Sequence, residues 1–348
     1  MSDFVFPFSA IVDQEDARTA LILGLIDNRI GGVLLTGQKG TAKTSLVRAV
    51  SSVMHDIPLI ELPLNATEDR LTGSINIERA LSGGEIVYEP GLIANAKDGV
   101  LYVDEVNLLE SHLVDILLDV SATGVLRVER EGVSHSQENR FLLVGSMNPE
   151  EGELRPQFLD RFGLCVPVFS VQNEWKRREI IKRRLAFESD KESFFNQYKQ
   201  EDYILRQQIL SARQRLNSVI LSDDLLDEAV RLADAASVSG HRAEIIMVMA
   251  ARALAAFLEH NVASVSLLHI VAPWVLFHRI EGGLFDSPDK VLRRISSVIS
   301  GDSDSEAKEK KHTELVEMSD DMMVPGAAAA GSIVFDFLKK KILNKSKK

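Results

Sequence analysis

The segment Gly37-Gln38-Lys39-Gly40-Thr41-Ala42-Lys43-Thr44 constrains this chain more than any other. It follows an apolar run, Ile30 to Thr36, that reads as a buried parallel strand, and it opens Lys43 to Met54, which reads as a helix. A glycine-rich turn in that setting lets consecutive backbone N–H groups and the helix N-terminus wrap the phosphates of a nucleotide. Lys43 would then bridge the β- and γ-phosphates, and the Thr44 hydroxyl would ligate Mg²⁺. Ala42 stands where glycine is usual. An alanine at a helix start needs only negative φ, so it is expected to be tolerated, with Gly40 as the second flexible position. Taken alone, the motif competes with a chance glycine turn before a helix.

A second apolar run, Gly99 to Val103, ends in Asp104-Glu105, and a third, Phe141 to Val144, ends in Gly145-Ser146-Met147-Asn148. Strands separated by helical stretches imply an open α/β sheet, in which ligands collect at the carboxyl ends of the strands. Asp104 is placed to hold Mg²⁺ through its water shell, and Glu105 to orient and polarise an attacking water. The competing reading is a strand followed by an acidic helix cap. Two such motifs in the right order make that improbable. Asn148 could position the same water, while Asn148-Pro149 also favours a turn; the two are compatible.

Two insertions interrupt this pattern. Residues 65–92 hold Gly83-Gly84 between extended-looking segments, which predicts a hairpin. Residues 124–140 alternate, with Val125, Arg127 and Glu129 opposite Leu126, Val128 and Arg130, until Gly132 breaks the run, which predicts a second exposed hairpin. Leu154 to Gly163 then carries two arginines near a short helix. Arg161 suits insertion into a neighbouring subunit's site to neutralise a γ-phosphate, against a local salt bridge to Asp160, with Arg155 as an assistant. Arg242, at the start of a later apolar helix, could reach the γ-phosphate from a lid; the plainer reading is a helix-start arginine.

The domain reading is a nucleotide-binding core over 1–172, a long charged helical connector over 173–218, an all-helical lid over 219–290 and a charged, partly disordered tail over 291–348. Ser222-Asp223-Asp224 is a good helix start within the lid. The net charge of −11 argues against nucleic acid as partner, because phosphate binding leaves a basic footprint. Lys176 to Arg178 and Lys182 to Arg184 form a local exception, read as a solvated helix face or as a docking face for an acidic partner. Apolar runs fall short of the roughly 20 residues of a membrane helix, and the start lacks a secretory signal, so a cytoplasmic protein is expected. The one cysteine, Cys165, sits in an apolar run and is expected to be a buried thiol.

Several strings are more specific than the phosphate loop. Phe6-Pro-Phe-Ser-Ala-Ile-Val12, Leu62-Pro-Leu-Asn-Ala-Thr-Glu-Asp-Arg70, Ile77-Glu-Arg-Ala-Leu81, Tyr102-Val-Asp-Glu-Val-Asn-Leu-Leu109 and Met147-Asn-Pro-Glu-Glu-Gly-Glu-Leu-Arg-Pro156 closely resemble the ATPase subunit I of magnesium chelatase, and the small ATPase subunit of cobalt chelatase is similar. The resemblance runs from about Phe6 to Glu281. It implies an AAA+ P-loop core with a parallel sheet and two inserted hairpins, plus a small all-α lid. It implies ATP and Mg²⁺ as cofactors and a homo-oligomeric, hexameric ring. It also implies two partners, a second ATPase-like subunit with a metal-binding adhesion-type domain and a large tetrapyrrole-binding subunit. Lys43, Asp104, Glu105, Asn148, Arg161 and Arg242 match that family's phosphate-loop lysine, metal and water residues, first sensor, arginine finger and second sensor. Asp13 departs from the pattern, which has a glycine after the Ile-Val pair.

ATP hydrolysis would thus drive insertion of Mg²⁺ or Co²⁺ into a tetrapyrrole. The eight histidines are scattered along the chain, so the insertion chemistry itself is expected on another polypeptide. Competing readings are a MoxR-like AAA+ ATPase that remodels proteins and a scaffold that binds ATP without turnover. A DNA helicase is disfavoured by the acidic charge.

Overall fold

Short runs of valine, leucine and isoleucine, too apolar to face water on either side, become the five strands of one parallel sheet. The computed structural model describes residues 4–76, 87–130 and 133–301. The central strands are β1 (Val33–Thr36) and β2 (Leu59–Leu62), β5 (Val100–Val103), β8 (Leu142–Met147) and β9 (Leu164–Pro167), in the spatial order β2-β5-β8-β1-β9. Every residue of β1, β5 and β8 is buried. The sequence marks neither β2 nor β9 as a strand, beyond the apolar run around Cys165; that thiol is fully buried in β9, as expected. The predicted first strand is shorter than its apolar run, because Asn28–Ile30 forms a 3₁₀ turn and Gly31 and Gly32 both take positive φ.

Helix α2 (Lys43–Val53) starts at Lys43 as expected, and α1 (Glu15–Ile26) and α3 (Ser111–Thr123) are two further helices. Both hairpins are present as antiparallel ladders. One pairs β3 (Gly73–Asn76) with β4 (Val87–Pro90); the other pairs β6 (Val125–Arg130) with β7 (Val133–Glu138). Leu126 and Val128 are buried and Arg127 is exposed, as the alternation requires. Gly83-Gly84, Gly132 and the charged stretch from 302 onward lie outside the described residues.

The predicted single charged helix is in fact two, α4 (Glu174–Ser189) and α5 (Lys191–Arg215), divided at Asp190. Asp190 leaves the helical conformation, and its carboxylate accepts the Ser193 N–H at 2.9 Å, which caps the second helix.

The chain divides into two compact units: Met1–Gln14 with Asn28–Ile209, and Glu15–Asp27 with the chain from Leu210. The second unit packs α1 with α6 (Asp223–Ala235), α7 (Arg242–Phe257), α8 (Val265–Leu276) and α9 (Pro288–Ser300), and a two-residue parallel bridge joins Ile220–Leu221 to Val262–Ala263. Ser222 accepts the Leu225 N–H, the predicted cap. Six alanines of α7 are buried, and their small side chains let neighbouring helices approach closely. Among the described residues, no helix is long and apolar enough to cross a membrane.

Glu228 on α6 is held by Arg231 at 2.7 Å and by His269 of α8 at 2.5 Å. These contacts, the Arg231 hydrogen bond first, depress its pKa from 4.5 to about 2. A depressed carboxylate stabilises the fold above its unfolded pKa and loses that contribution as pH falls through the folded one. Glu228→Gln is therefore expected to cost about 1–2 kcal/mol at pH 7, measured by urea denaturation, and the difference should shrink between pH 4.5 and 2.

Candidate functional site

The carboxyl edge of the sheet gathers the polar residues that follow β1, β5 and β8. The phosphate loop leaves β1 at Gly37, whose N–H donates to the Met147 carbonyl at 3.1 Å. A Cβ at Gly37 would stand 2.3 Å from the Val168 carbonyl, so the loop passes too close to the chain beyond β9 for any side chain. Gly40 takes φ +80° with open space around it. Ala42 corrects the sequence reading: it is left-handed, φ 69° and ψ 19°, not negative. Glycine is usual there for that reason, since alanine in this region costs roughly 1–2 kcal/mol. Asp13 behaves alike at φ 67°, and its carboxylate meets Lys176 at 2.9 Å. Aspartate tolerates this conformation better than most residues do, which makes it a workable substitute for glycine.

No side chain caps the start of α2. Its first N–H groups therefore face the loop as orphan donors, an arrangement suited to an anion. Lys43 Nζ donates to the carbonyls of Gly37 at 2.6 Å and Gln38 at 2.9 Å, so it lies back along the loop. Burial holds this ammonium below the usual lysine range, although Asp104 and Glu105 pull the other way.

Asp104 accepts from the Thr44 hydroxyl at 3.0 Å, from the Tyr102 hydroxyl at 2.8 Å and from the Ser146 hydroxyl. Burial raises its pKa, but these three donors and Lys43 outweigh that, and the net shift is downward. The Tyr102 hydroxyl is pushed the other way, mainly by burial, and stays protonated. Adjacent ligands of an octahedral Mg²⁺ at 2.0–2.1 Å stand about 3 Å apart, which matches the spacing of Thr44 and Asp104. The donor set thus fits Mg²⁺, and the bare start of α2 fits phosphate.

Glu105 has φ 53° and ψ 51°, a left-handed conformation that non-glycine residues hold only when the surroundings impose it. Its N–H donates to Ser146 Oγ at 3.0 Å, so one serine fixes both acids. Asn148 is buried, and its side-chain oxygen accepts the Glu150 N–H at 3.2 Å, a turn contact. Gln38 reaches Glu150 at 3.3 Å, and Lys39 pairs with Glu151. Lys39, above all by its hydrogen bond, lowers the Glu151 pKa.

Sequence reasoning missed Ser146, Tyr102, Glu150 and Glu151 as site residues. The register carried a signal for the first: Val103 pairs with Gly145, so Asp104, just past β5, falls beside Ser146 within β8.

Beside the loop opens a cavity of about 440 Å³, largely apolar, with Ile11, Val12, Gly40, Thr41, Leu46 and Ile181 in its walls. A flat aromatic base fits such walls. Arg161 is placed elsewhere. It precedes β9, and its carbonyl lies 3.4 Å from a Cβ built on Gly31, which leads into β1. This is the amino edge of the sheet, opposite the phosphate loop. Arg155 lies over the Phe158 ring at 5.9 Å. Arg242 begins α7, in the second unit.

Residues 32–162 match the family model described as AAA domain (dynein-related subfamily), and residues 226–295 match AAA lid domain. The chain is 40% identical over 322 residues to the magnesium-chelatase subunit ChlI of Olisthodiscus luteus, covering 84% of this chain and 96% of that protein. It is 43% identical over 320 residues to the magnesium-chelatase 38 kDa subunit of Cereibacter sphaeroides, covering 83% and 96%. An uncharacterised protein of Mycobacterium tuberculosis is 45% identical over 287 residues, 81% of this chain, which spans 46% of that protein's length.

Because alanine is strained at position 42 and glycine is not, Ala42→Gly should raise stability by about 0.5–1 kcal/mol after glycine's extra unfolded-state entropy is deducted. Urea midpoints of the two proteins check this; a lower midpoint for the variant would contradict the assigned strain.

Proposed function

The chain belongs to the family of magnesium-chelatase ATPase subunits, an AAA+ ATPase that uses ATP and Mg²⁺, and from that premise we propose that it is the ring-forming motor driving insertion of Mg²⁺ into a tetrapyrrole on a partner protein. The observation that carries this reading is the division of the polar residues between the two edges of one sheet. The carboxyl edge holds Lys43, Thr44, Asp104, Glu105 and Asn148, whereas the Arg161 backbone stands at the amino edge, opposite its own phosphate loop. A finger so placed acts on the next copy.

The backbone N–H groups at the start of α2 grip the phosphates, and Lys43 swings from the Gly37 and Gln38 carbonyls to the β- and γ-oxygens. Thr44 and Asp104 would hold Mg²⁺, which would supply neutralisation of developing phosphate charge. Glu105 orients the attacking water and takes its proton, with Asn148 fixing the water's second side. Arg161 of one protomer stabilises charge on the neighbour's γ-phosphate, and Arg242 reports nucleotide state to the lid. A hexameric ring satisfies every finger. The partners are a second ATPase-like subunit with a metal-binding adhesion-type domain and a large subunit that binds the tetrapyrrole.

Glu105→Gln is expected to lower ATP turnover at least about 100-fold while nucleotide is still retained. Arg161→Ala should cost on the order of 10³ in turnover without loss of affinity, and only in the assembled ring. Phosphate release and nucleotide binding, measured side by side, separate the two effects. A scaffold without turnover would show no change in either variant. For the chelatase reading, ATP-dependent capture of the large tetrapyrrole-binding subunit is expected. Capture of a remodelling client in its place would favour the MoxR-like alternative, and metal insertion assayed with Co²⁺ against Mg²⁺ identifies the metal.

A further inference from the structure

One wall of the apolar cavity is the strap from Phe6 to Gln14, whose only regular element is the 3₁₀ turn Phe8–Ala10. A segment of this kind lacks the hydrogen-bond ladder of a strand or helix, so its shape depends on the groups that hold its backbone. Those groups come from α4 and α5, with Ser52 of α2. Asp202, on α5, is only 2% exposed, accepts the Ser9 N–H at 2.9 Å through Oδ1 and accepts the Ser52 hydroxyl at 2.7 Å through Oδ2. Ser52 lies in the last turn of α2, the helix whose first turn faces the phosphates, and its Oγ accepts the Phe8 N–H at 3.0 Å.

From α4, Arg183 donates to the Ala10 carbonyl at 2.9 Å. Its guanidinium is steadied by Glu179 at 2.8 Å and by the Tyr198 ring, whose centroid is 5.5 Å away. Phe6 is clamped between Phe187 and Phe194, with centroids at 5.3 and 5.4 Å. A buried carboxylate is costly unless donors satisfy it. The donors that satisfy Asp202 are a strap N–H and the hydroxyl of Ser52, which itself accepts another strap N–H. Within the basic run at 176–184, Lys176 and Arg183 are engaged with the strap, whereas Arg177, Arg178, Lys182 and Arg184 are exposed, as a solvated face would have them.

Resting on the nucleotide reading above, we propose that Asp202 and Arg183 are positioning residues that set the Phe6–Val12 strap against the base of the bound nucleotide. The phosphate grip is built from other groups, the loop N–H donors and Lys43, so the two anchors govern affinity for the base alone. A role confined to general stability would weaken both grips together.

Calorimetric titration of the full chain with MgATP and with inorganic tripolyphosphate plus Mg²⁺ separates these cases. The wild type should bind both; a wild type that binds neither sinks the nucleotide reading itself, not this refinement. Asp202→Ala is expected to weaken MgATP about tenfold or more, a step of roughly 1.4 kcal/mol, and to leave tripolyphosphate within about twofold. Asp202→Asn should restore most of the loss, because the amide oxygen still accepts the Ser9 N–H. Arg183→Met should reproduce the pattern from the other side of the strap, and it decides the matter if Asp202→Ala does not fold. Unchanged MgATP affinity in the folded variants, or parallel loss of both ligands, would overturn the assignment.

Discussion

The carboxylate of Asp104 is the point on which the site depends. It sits at the tip of a fully buried strand, where desolvation works against its charge, and it stays ionised because three hydroxyls and a lysine converge on it. Each donor comes from a different element: Thr44 from α2, Tyr102 from β5 itself and Ser146 from β8. The carboxylate thus reports whether the phosphate loop and two strands are in register. Ser146 carries the constraint one residue further, since its oxygen also accepts the Glu105 N–H and supports that residue's left-handed backbone. The strain at Glu105 is offset by an interaction that Asp104 itself helps to orient. The two acids are therefore positioned as one unit.

The same sheet has a second consequence. Parallel strands place every strand end of one kind on one edge, so the residues after β1, β5 and β8 assemble without long-range design. Arg161 precedes a strand, and the topology sends it to the other edge. A single copy can hold nucleotide, but in the proposed ring it cannot complete its own transition-state charge. Hydrolysis is then tied to assembly by geometry, with no regulatory segment needed.

Most of the site was legible in the sequence because its chemistry lies at strand ends, where a run of apolar residues stops abruptly at a charged one. Asp104, Glu105 and Asn148 follow strand ends directly and Lys43 and Thr44 stand behind a glycine-rich turn, and the structure places all five on the carboxyl edge. Ser146 and Tyr102 do not stand out, because a serine or tyrosine inside a buried strand gives no local signal; only the register between β5 and β8 reveals them. The backbone at Ala42 was misjudged for a related reason. Helix propensity describes residues within a helix, whereas Ala42 is the residue before it, turned left-handed by the loop's path. β2 is only partly buried and ends beside a loop, so it lacked the apolar contrast that marked the other strands. The break at Asp190 was hidden by the charge on either side of it, which reads equally well as continuous helix. The lid was legible as helices, yet where Arg242 acts is a tertiary question that no periodicity addresses.

The placement of α4 and α5 changes how the nucleotide site is understood. In the proposed site the phosphates are met by main-chain donors whose geometry is fixed by φ and ψ, so that grip tolerates many side chains at the intervening positions. The base is met by an irregular strap, held by side chains more than 170 positions away in sequence. Loss of a loop N–H requires the loop to change shape, whereas loss of one anchor frees the strap while the loop remains intact. Hydrogen bonds of this kind contribute on the order of 1 kcal/mol each. Base affinity is therefore adjustable in small steps from two helices that touch no phosphate, and the chain can alter how it holds ATP without disturbing how it cleaves it.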